Sequence, residues 1–225
     1  MPVRATSNLN GIEIDGAGAA YNGIVFNTGS SLTINDCIVK DFAINNNNPN
    51  VTGNGILIQP LSGTVSFVIT NTVASNNGSI GINYLTPNAS ATATGVIDHG
   101  VTANNVNIGI AINTVAGNGL TTVAISNSIV SNNPSYGISI TDDNERSSSL
   151  PVLTVSIDNT AINGDGNVGL IALDTPKILL GRSVITGNSV GLTNLTILFY
   201  TYKDNRINGN RADVSGNALI TDGLQ

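Results

Sequence analysis

A single-stranded parallel β-helix, an all-β solenoid of seven to eight coils with Asn-lined turns, is the fold class the sequence predicts. Three observations predict it. A Gly-[Ile/Leu] step recurs every 22 to 32 residues, at Gly23, Gly55, Gly81, Gly109, Gly137, Gly169 and Gly191. A second phrase falls halfway through the repeat, as Ile34-Asn35-Asp36, Ile69-Thr70-Asn71, Ile97-Asp98-His99, Ile125-Ser126-Asn127 and Ile157-Asp158-Asn159. Each repeat closes on an Asn or Gly cluster, and no segment carries helical periodicity.

Three short strands per coil fit these phrases. The Gly-Ile step opens the first, in which Ile24 and Phe26, Ile56 and Ile58, or Ile110 and Ile112 point inward by simple alternation. The residues between them (Val25, Leu57, Asn83, Ala111, Ser139, Ile171 and Thr193) are expected to face out. The second strand ends at the Ile before the Asn phrase, with inward pairs such as Leu32 and Ile34 or Val123 and Ile125. A sharp turn follows, and its column reads Asp36, Asn71, His99, Asn127, Asn159, Arg182 and Asp204. Asn suits such a column because it tolerates left-handed backbone and can bond unpaired turn groups and the next Asn, about 4.8 Å away. The third strand comes next, as in Cys37-Ile38-Val39 or Ser128-Ile129-Val130, and a second polar column ends the coil at Asn76-Asn77, Asn104-Asn105, Asn132-Asn133, Gly164-Asp165, Gly187-Asn188 and Gly209-Asn210.

Residues 1–225 read as a single domain, with 1–22 an incomplete first coil and 211–225 a C-terminal tail or cap. The chain is 40% apolar, 10% charged and 4% aromatic, with no Trp, one Cys and about one Asn in seven residues. A disordered chain would be more charged and less apolar. A formal net charge of -6 with eight scattered Lys and Arg gives no basic stripe, so nucleic acid is not an expected partner. No stretch approaches the length of a membrane span. Cys37 has no internal disulfide partner and reads as a structural thiol. Oligomeric state is not specified.

The Gly-Ile phrase, the Ile-x-Asn turn and the run Asn205-Arg206-Ile207-Asn208-Gly209-Asn210 resemble the right-handed parallel β-helix repeat proteins of the pectate-lyase-like superfamily, and especially uncharacterised secreted bacterial members. Gly11 to Phe42 and Arg182 to Asn210 carry most of the likeness. The resemblance implies a fold and export to a secreted or periplasmic location. Residues Met1 to Asn8 have no signal-peptide core, so the expectation is either a cytoplasmic chain or, in keeping with the resemblance, a mature or trimmed region. It implies no single activity, because that superfamily spans lyases, hydrolases, epimerases, tailspikes, adhesins and inert solenoids.

Chemistry is expected on the variable loop after the first strand, longest at Thr141 to Pro151. Aligning Gly137 with Gly169 sets Asp142 beside Asp174 in the next coil. Their repulsion is relieved either by Ca²⁺, held by Asp142, Asp143, Glu145 and Asp174, or by Arg146 or Lys177 as counter-charge; a solvated surface loop is the plainer alternative. Calcium with a basic residue resembles the apparatus of polysaccharide lyases. Asp98-His99-Gly100 with Asp142-Asp143 is similar to polygalacturonase phrases, but in reversed order and across the coil, so His99 reads as a turn residue bonded to Asn71 and Asn127. Arg182 and Asp204 read as a stacked ion pair, and Asn163 to Asn167 as a tight turn. The five Tyr form no regular stripe for sugar stacking, and the outward first-strand row is too mixed for ice. The expected function is a non-catalytic scaffold that recognises a surface polysaccharide or cell-surface partner through the first-strand face. The alternatives are a polysaccharide lyase or glycosidase, with Asp142 and Asp174 holding calcium or acting as catalytic acids and Arg146 or Lys177 as the basic partner, and a structural or self-associating solenoid fragment.

Overall fold

The structure, a computed structural model, describes residues 5–47, 52–86, 91–115, 119–143 and 152–221. Among these residues there is no helix, and three parallel sheets of eight, nine and eight strands pair each strand with its counterpart one coil away. The fold is a parallel β-solenoid with three strands per coil. The first sheet runs from Asn22–Phe26 to Ala212–Gly216, the second from Thr6–Asn10 to Ile220–Thr221, and the third from Glu13–Asp15 to Arg206–Ile207.

In-register pairing turns each inward position of the repeat into a stack along the axis. Ile24, Ile56, Ile82, Ile110, Ile138, Leu170 and Leu192 form one such stack and are all buried. In the second sheet the stack Leu32, Phe67, Gly95, Val123, Val155, Ile178 and Phe199 contains one rung without a side chain. The Phe67 ring occupies the space over Gly95 and stacks on Tyr84, with ring centroids 5.5 Å apart. Tyr84 is buried, and its hydroxyl lies 3.2 Å from Thr121 Oγ1.

The turns divide by chemistry. At the second turn Asp36, Asn71, His99, Asn127, Asn159 and Arg182 adopt left-handed backbone, with φ of 45 to 54°. In the last coil the left-handed position is Lys203, φ 64°, and not Asp204 as the alignment predicts. Asp204 lies one residue later, where its carboxylate accepts a hydrogen bond from the Arg182 backbone N–H at 3.0 Å. In four coils the residue after the left-handed position carries a buried hydroxyl, which makes a column of Thr72, Ser128, Thr160 and Ser183. Each donates to the carbonyl two residues before it, at 2.7 to 3.0 Å, and the Cys37 thiol donates to Asn35 O in the same way at 3.2 Å. Cys37 is thus a buried structural member of this column.

After the third strand, one residue of each polar pair is left-handed and exposed (Asn76, Asn104, Asn132, Gly164, Gly187 and Gly209), while the next is a rung of an interior ladder. Asn77 donates its backbone N–H and its side-chain amide to Asn105 Oδ1, at 3.2 and 2.9 Å, and Asn105 does the same to Asn133 at 3.1 and 3.1 Å. Asn133 donates both to Asp165 Oδ1, and Asn188 donates both to Asn210 Oδ1. The ladder explains the Gly-Ile step. A Cβ at Gly55, Gly81, Gly109 or Gly169 would lie 2.7 to 2.8 Å from the amide nitrogen of Asn77, Asn105, Asn133 or Asn188 respectively, closer than real Cβ contacts come. The glycine is kept because the rung of its own coil boundary packs against it.

Candidate functional site

The first-strand row expected to face solvent is covered. Val25 is 48% exposed, but Leu57, Asn83, Ala111, Ser139 and Ile171 are buried. Alternation does point these residues away from the core stacks, yet an outward direction does not guarantee access to water. Between Leu57 and Ile171 the row therefore presents buried side chains and not the exposed ones that alternation predicts.

Asp142 and Asp174 are register partners across neighbouring first-sheet strands, as alignment predicts. Their side chains meet different surroundings. Asp142 continues the inward parity of Ile138 and Ile140, is 1% exposed, and stacks on Thr114, itself stacked on Thr86. Thr114 Oγ1 donates to Asp142 Oδ1 at 2.8 Å, and Thr175 Oγ1 lies 3.4 Å from Oδ2. Asp174 is exposed, at a left-handed turn position with φ of 67°. Asp143 is exposed, whereas Glu145 and Arg146 lie outside the described residues. Lys177 is on the second sheet, where its ammonium sits 5.2 Å from the Tyr200 ring centroid. Among the described residues no three His, Cys, Asp or Glu side chains converge in a manner suited to a metal ion. The Asp142 side chain is thus interior and hydrogen-bonded.

The outer second-turn ridge is a continuous polar strip. Asn35 donates to Asn10, Thr70 and Asn71 donate to Asn35, and Asn159 donates to Asn127, at 2.6 to 3.2 Å. At its centre Asp98 accepts from Ser126 Oγ, Asn127 Nδ2 and His99 Nδ1, at 2.7, 2.7 and 2.8 Å. These hydrogen bonds, Ser126 first, hold the Asp98 carboxyl down at about 2. His99 therefore bonds its own neighbour, not Asn71 and Asn127; the short Asp98 side chain captures the ring first. A carboxyl held below its unfolded value contributes stability that is present above about pH 4. It is lost as pH falls from there toward 2. Asp98→Asn should accordingly flatten the acid limb of a urea-midpoint profile between pH 4 and 2; an unchanged limb would show that the three donors do not discriminate charge.

At the end of the ridge the strip breaks. The position held by Asn35, Thr70, Asp98, Ser126 and Asp158 in successive second-sheet strands is Gly181 in the next one. The missing side chain opens a concave pocket of about 320 Å³, lined by Ser156, Asp158, Leu179, Arg182, Tyr202 and Asp204. The Arg182 guanidinium grips Asp158 through Nε and Nη2, so the ion pair runs to the preceding coil and not to Asp204. That guanidinium lowers the Asp158 carboxyl. Tyr202 forms one wall. Tyr200, two residues earlier with Lys177 over its ring, is half-buried on the same outer sheet.

No family model, no curated protein and no solved structure matches the chain. Among the described residues no helix is long and apolar enough to cross a membrane. The alignment of repeats missed this pocket because its signal is an absence: a Gly in a column otherwise filled by polar side chains, followed one coil later by Tyr202.

Proposed function

We propose that the chain is a non-catalytic solenoid scaffold of the pectate-lyase-like type, secreted or periplasmic, that recognises a surface polysaccharide through the pocket beside Gly181. One observation carries this reading. The pocket of Asp158, Arg182, Tyr202 and Asp204 joins an aromatic wall, Tyr202, to planar polar groups held by an ion pair. Aromatic rings beside rigidly held hydrogen-bonding groups suit a hydroxyl-bearing ring with apolar faces. Its volume is near the lower end for ligand sites, about 300 Å³, which fits one or two sugar rings. A glycan array is expected to show binding that falls at least tenfold in Tyr202→Ala and in Arg182→Ala, with folding intact by far-UV circular dichroism. Equal binding by both variants would remove the pocket from the proposal.

The catalytic alternative rests on the register of Asp142 with Asp174. Turnover of a polysaccharide panel that is abolished in Asp174→Asn, or calcium binding by calorimetry that is lost in the same variant, would replace the scaffold reading with it.

A further inference from the structure

The interior ladder contains one acid. Five rungs are Asn, at 77, 105, 133, 188 and 210, and the rung between Asn133 and Asn188 is Asp165. Its side chain is 1% exposed. Oδ1 does what an Asn rung's oxygen does, accepting from the Asn133 N–H at 2.8 Å and from Asn133 Nδ2 at 3.0 Å. The Asp165 N–H also keeps the pattern, donating to Asn188 Oδ1 at 2.8 Å. The remaining oxygen does not. In Asn77, Asn105, Asn133 and Asn188 the corresponding atom is an amide nitrogen that donates to the next rung's Oδ1. Asp165 Oδ2 stands in that place with no hydrogen-bond partner, packed against Gly137.

An ionised carboxylate there would set a lone-pair oxygen where the ladder needs a donor, opposite an acceptor, inside an apolar wall. A neutral acid would restore the pattern, because Oδ2–H can donate to Asn188 Oδ1 as the amides do. We propose that Asp165 is a proton-operated joint: protonated, it completes the ladder and closes the coil boundary, and on losing its proton it opens the rung between Asn133 and Asn188. The groups facing it are Asn133 of the preceding coil, Asn188 of the following coil, Gly137 of strand Tyr136–Asp143 and Ile162 of strand Ala161–Asn163. None of these titrates or carries charge. The direction of titration agrees, since burial raises this carboxyl to about 7 against the pull of the two Asn133 donors.

The sign follows from linkage. A carboxyl that is neutral in the folded chain and ionised in the unfolded chain makes the fold bind more protons, so stability falls as pH rises from about 4 toward 7 and levels off above. Between pH 5 and 8.5 the unfolding constant should rise roughly a hundredfold from this group alone. The experiment is urea unfolding of the intact chain and of Asp165→Asn at pH 5 and 8.5, with a carbon-13 titration of the Asp165 carboxyl in the unsubstituted protein. The expected result is a carboxyl that stays protonated beyond the ordinary Asp range, a midpoint that drops at pH 8.5 in the parent, and a flat, higher midpoint in the variant. A carboxyl that titrates near pH 4, or parent and variant profiles that run parallel, would overturn the joint. The titration needs no substitution, so a folding defect in the variant leaves the question decided.

Discussion

Gly109→Ala is expected to lower the stability of the solenoid by about 3 kcal/mol, although it adds one methyl group to a position with ordinary backbone. The new Cβ would lie 2.6 Å from Val130 Cγ1, 2.7 Å from the Gly137 carbonyl oxygen and 2.8 Å from Asn133 Nδ2. The carbonyl belongs to the neighbouring strand and cannot yield without breaking the sheet. The amide can yield, but only by surrendering its bond to Asp165 and exposing a buried donor. An unsatisfied buried polar group costs about 1 to 3 kcal/mol, and overpacking a comparable amount. For a chain of this size the combined loss corresponds to a fall of roughly 6 to 12 °C in Tm. Gly11→Ala is the control. Gly11 has φ of 66° with nothing within 4 Å of a Cβ, so only backbone strain is added, at about 1 kcal/mol. Equal effects of the two substitutions would mean that the Gly-Ile step is a conformational requirement and not a contact with the ladder.

Gly95→Val is expected to be comparably damaging and, unlike Gly109→Ala, rescued by a second substitution. Gly95 is the empty rung of the second-sheet stack, and a side chain there would overlap the Phe67 ring. Phe67 cannot move aside readily, because it is buried and stacked on Tyr84. Phe67→Ala by itself should cost about 3 to 5 kcal/mol through the cavity it leaves. The double variant places Val over Ala, restoring a filled stack like that of Val123 over Val155 one and two coils on. Its cost should fall below the sum of the single costs by about 2 kcal/mol or more, a coupling expected only of residues in contact. Additive costs in chemical denaturation would show that the two positions do not share space.

Much of the architecture was legible because each feature is repeated. Five Gly-Ile and two Gly-Leu steps set the register, and the left-handed column at Asp36, Asn71, His99, Asn127, Asn159 and Arg182 could be read from the tolerance of Asn and Asp for that conformation. What could not be read was which member of a repeated pair turns inward. Asn104 and Asn105 are the same residue type, and only the coil geometry exposes the first and buries the second. Asp142 shows a signal that was available but outweighed. Its parity with Ile138 and Ile140 pointed inward, and its neighbour Thr114 pairs in the same way, but a run of charges after it suggested a loop. The register slip at Asp204 arose because Lys203, an unusual residue for left-handed backbone, takes the turn position there. The site beside Gly181 stayed hidden because repeated phrases draw attention to side chains that are present.

The interior amide ladder is distinct from the Asn strip on the outer ridge, and side-chain amide hydrogen exchange followed by NMR separates the two directly. The Nδ2 protons of Asn77, Asn105, Asn133 and Asn188, which are buried and bonded rung to rung, should exchange as slowly as the backbone amides of the first sheet. Those of Asn71, Asn127 and Asn159, which are exposed on the ridge, should exchange within the first minutes. Protection of both sets alike, or of neither, would contradict the ladder and with it the reason for the Gly-Ile repeat.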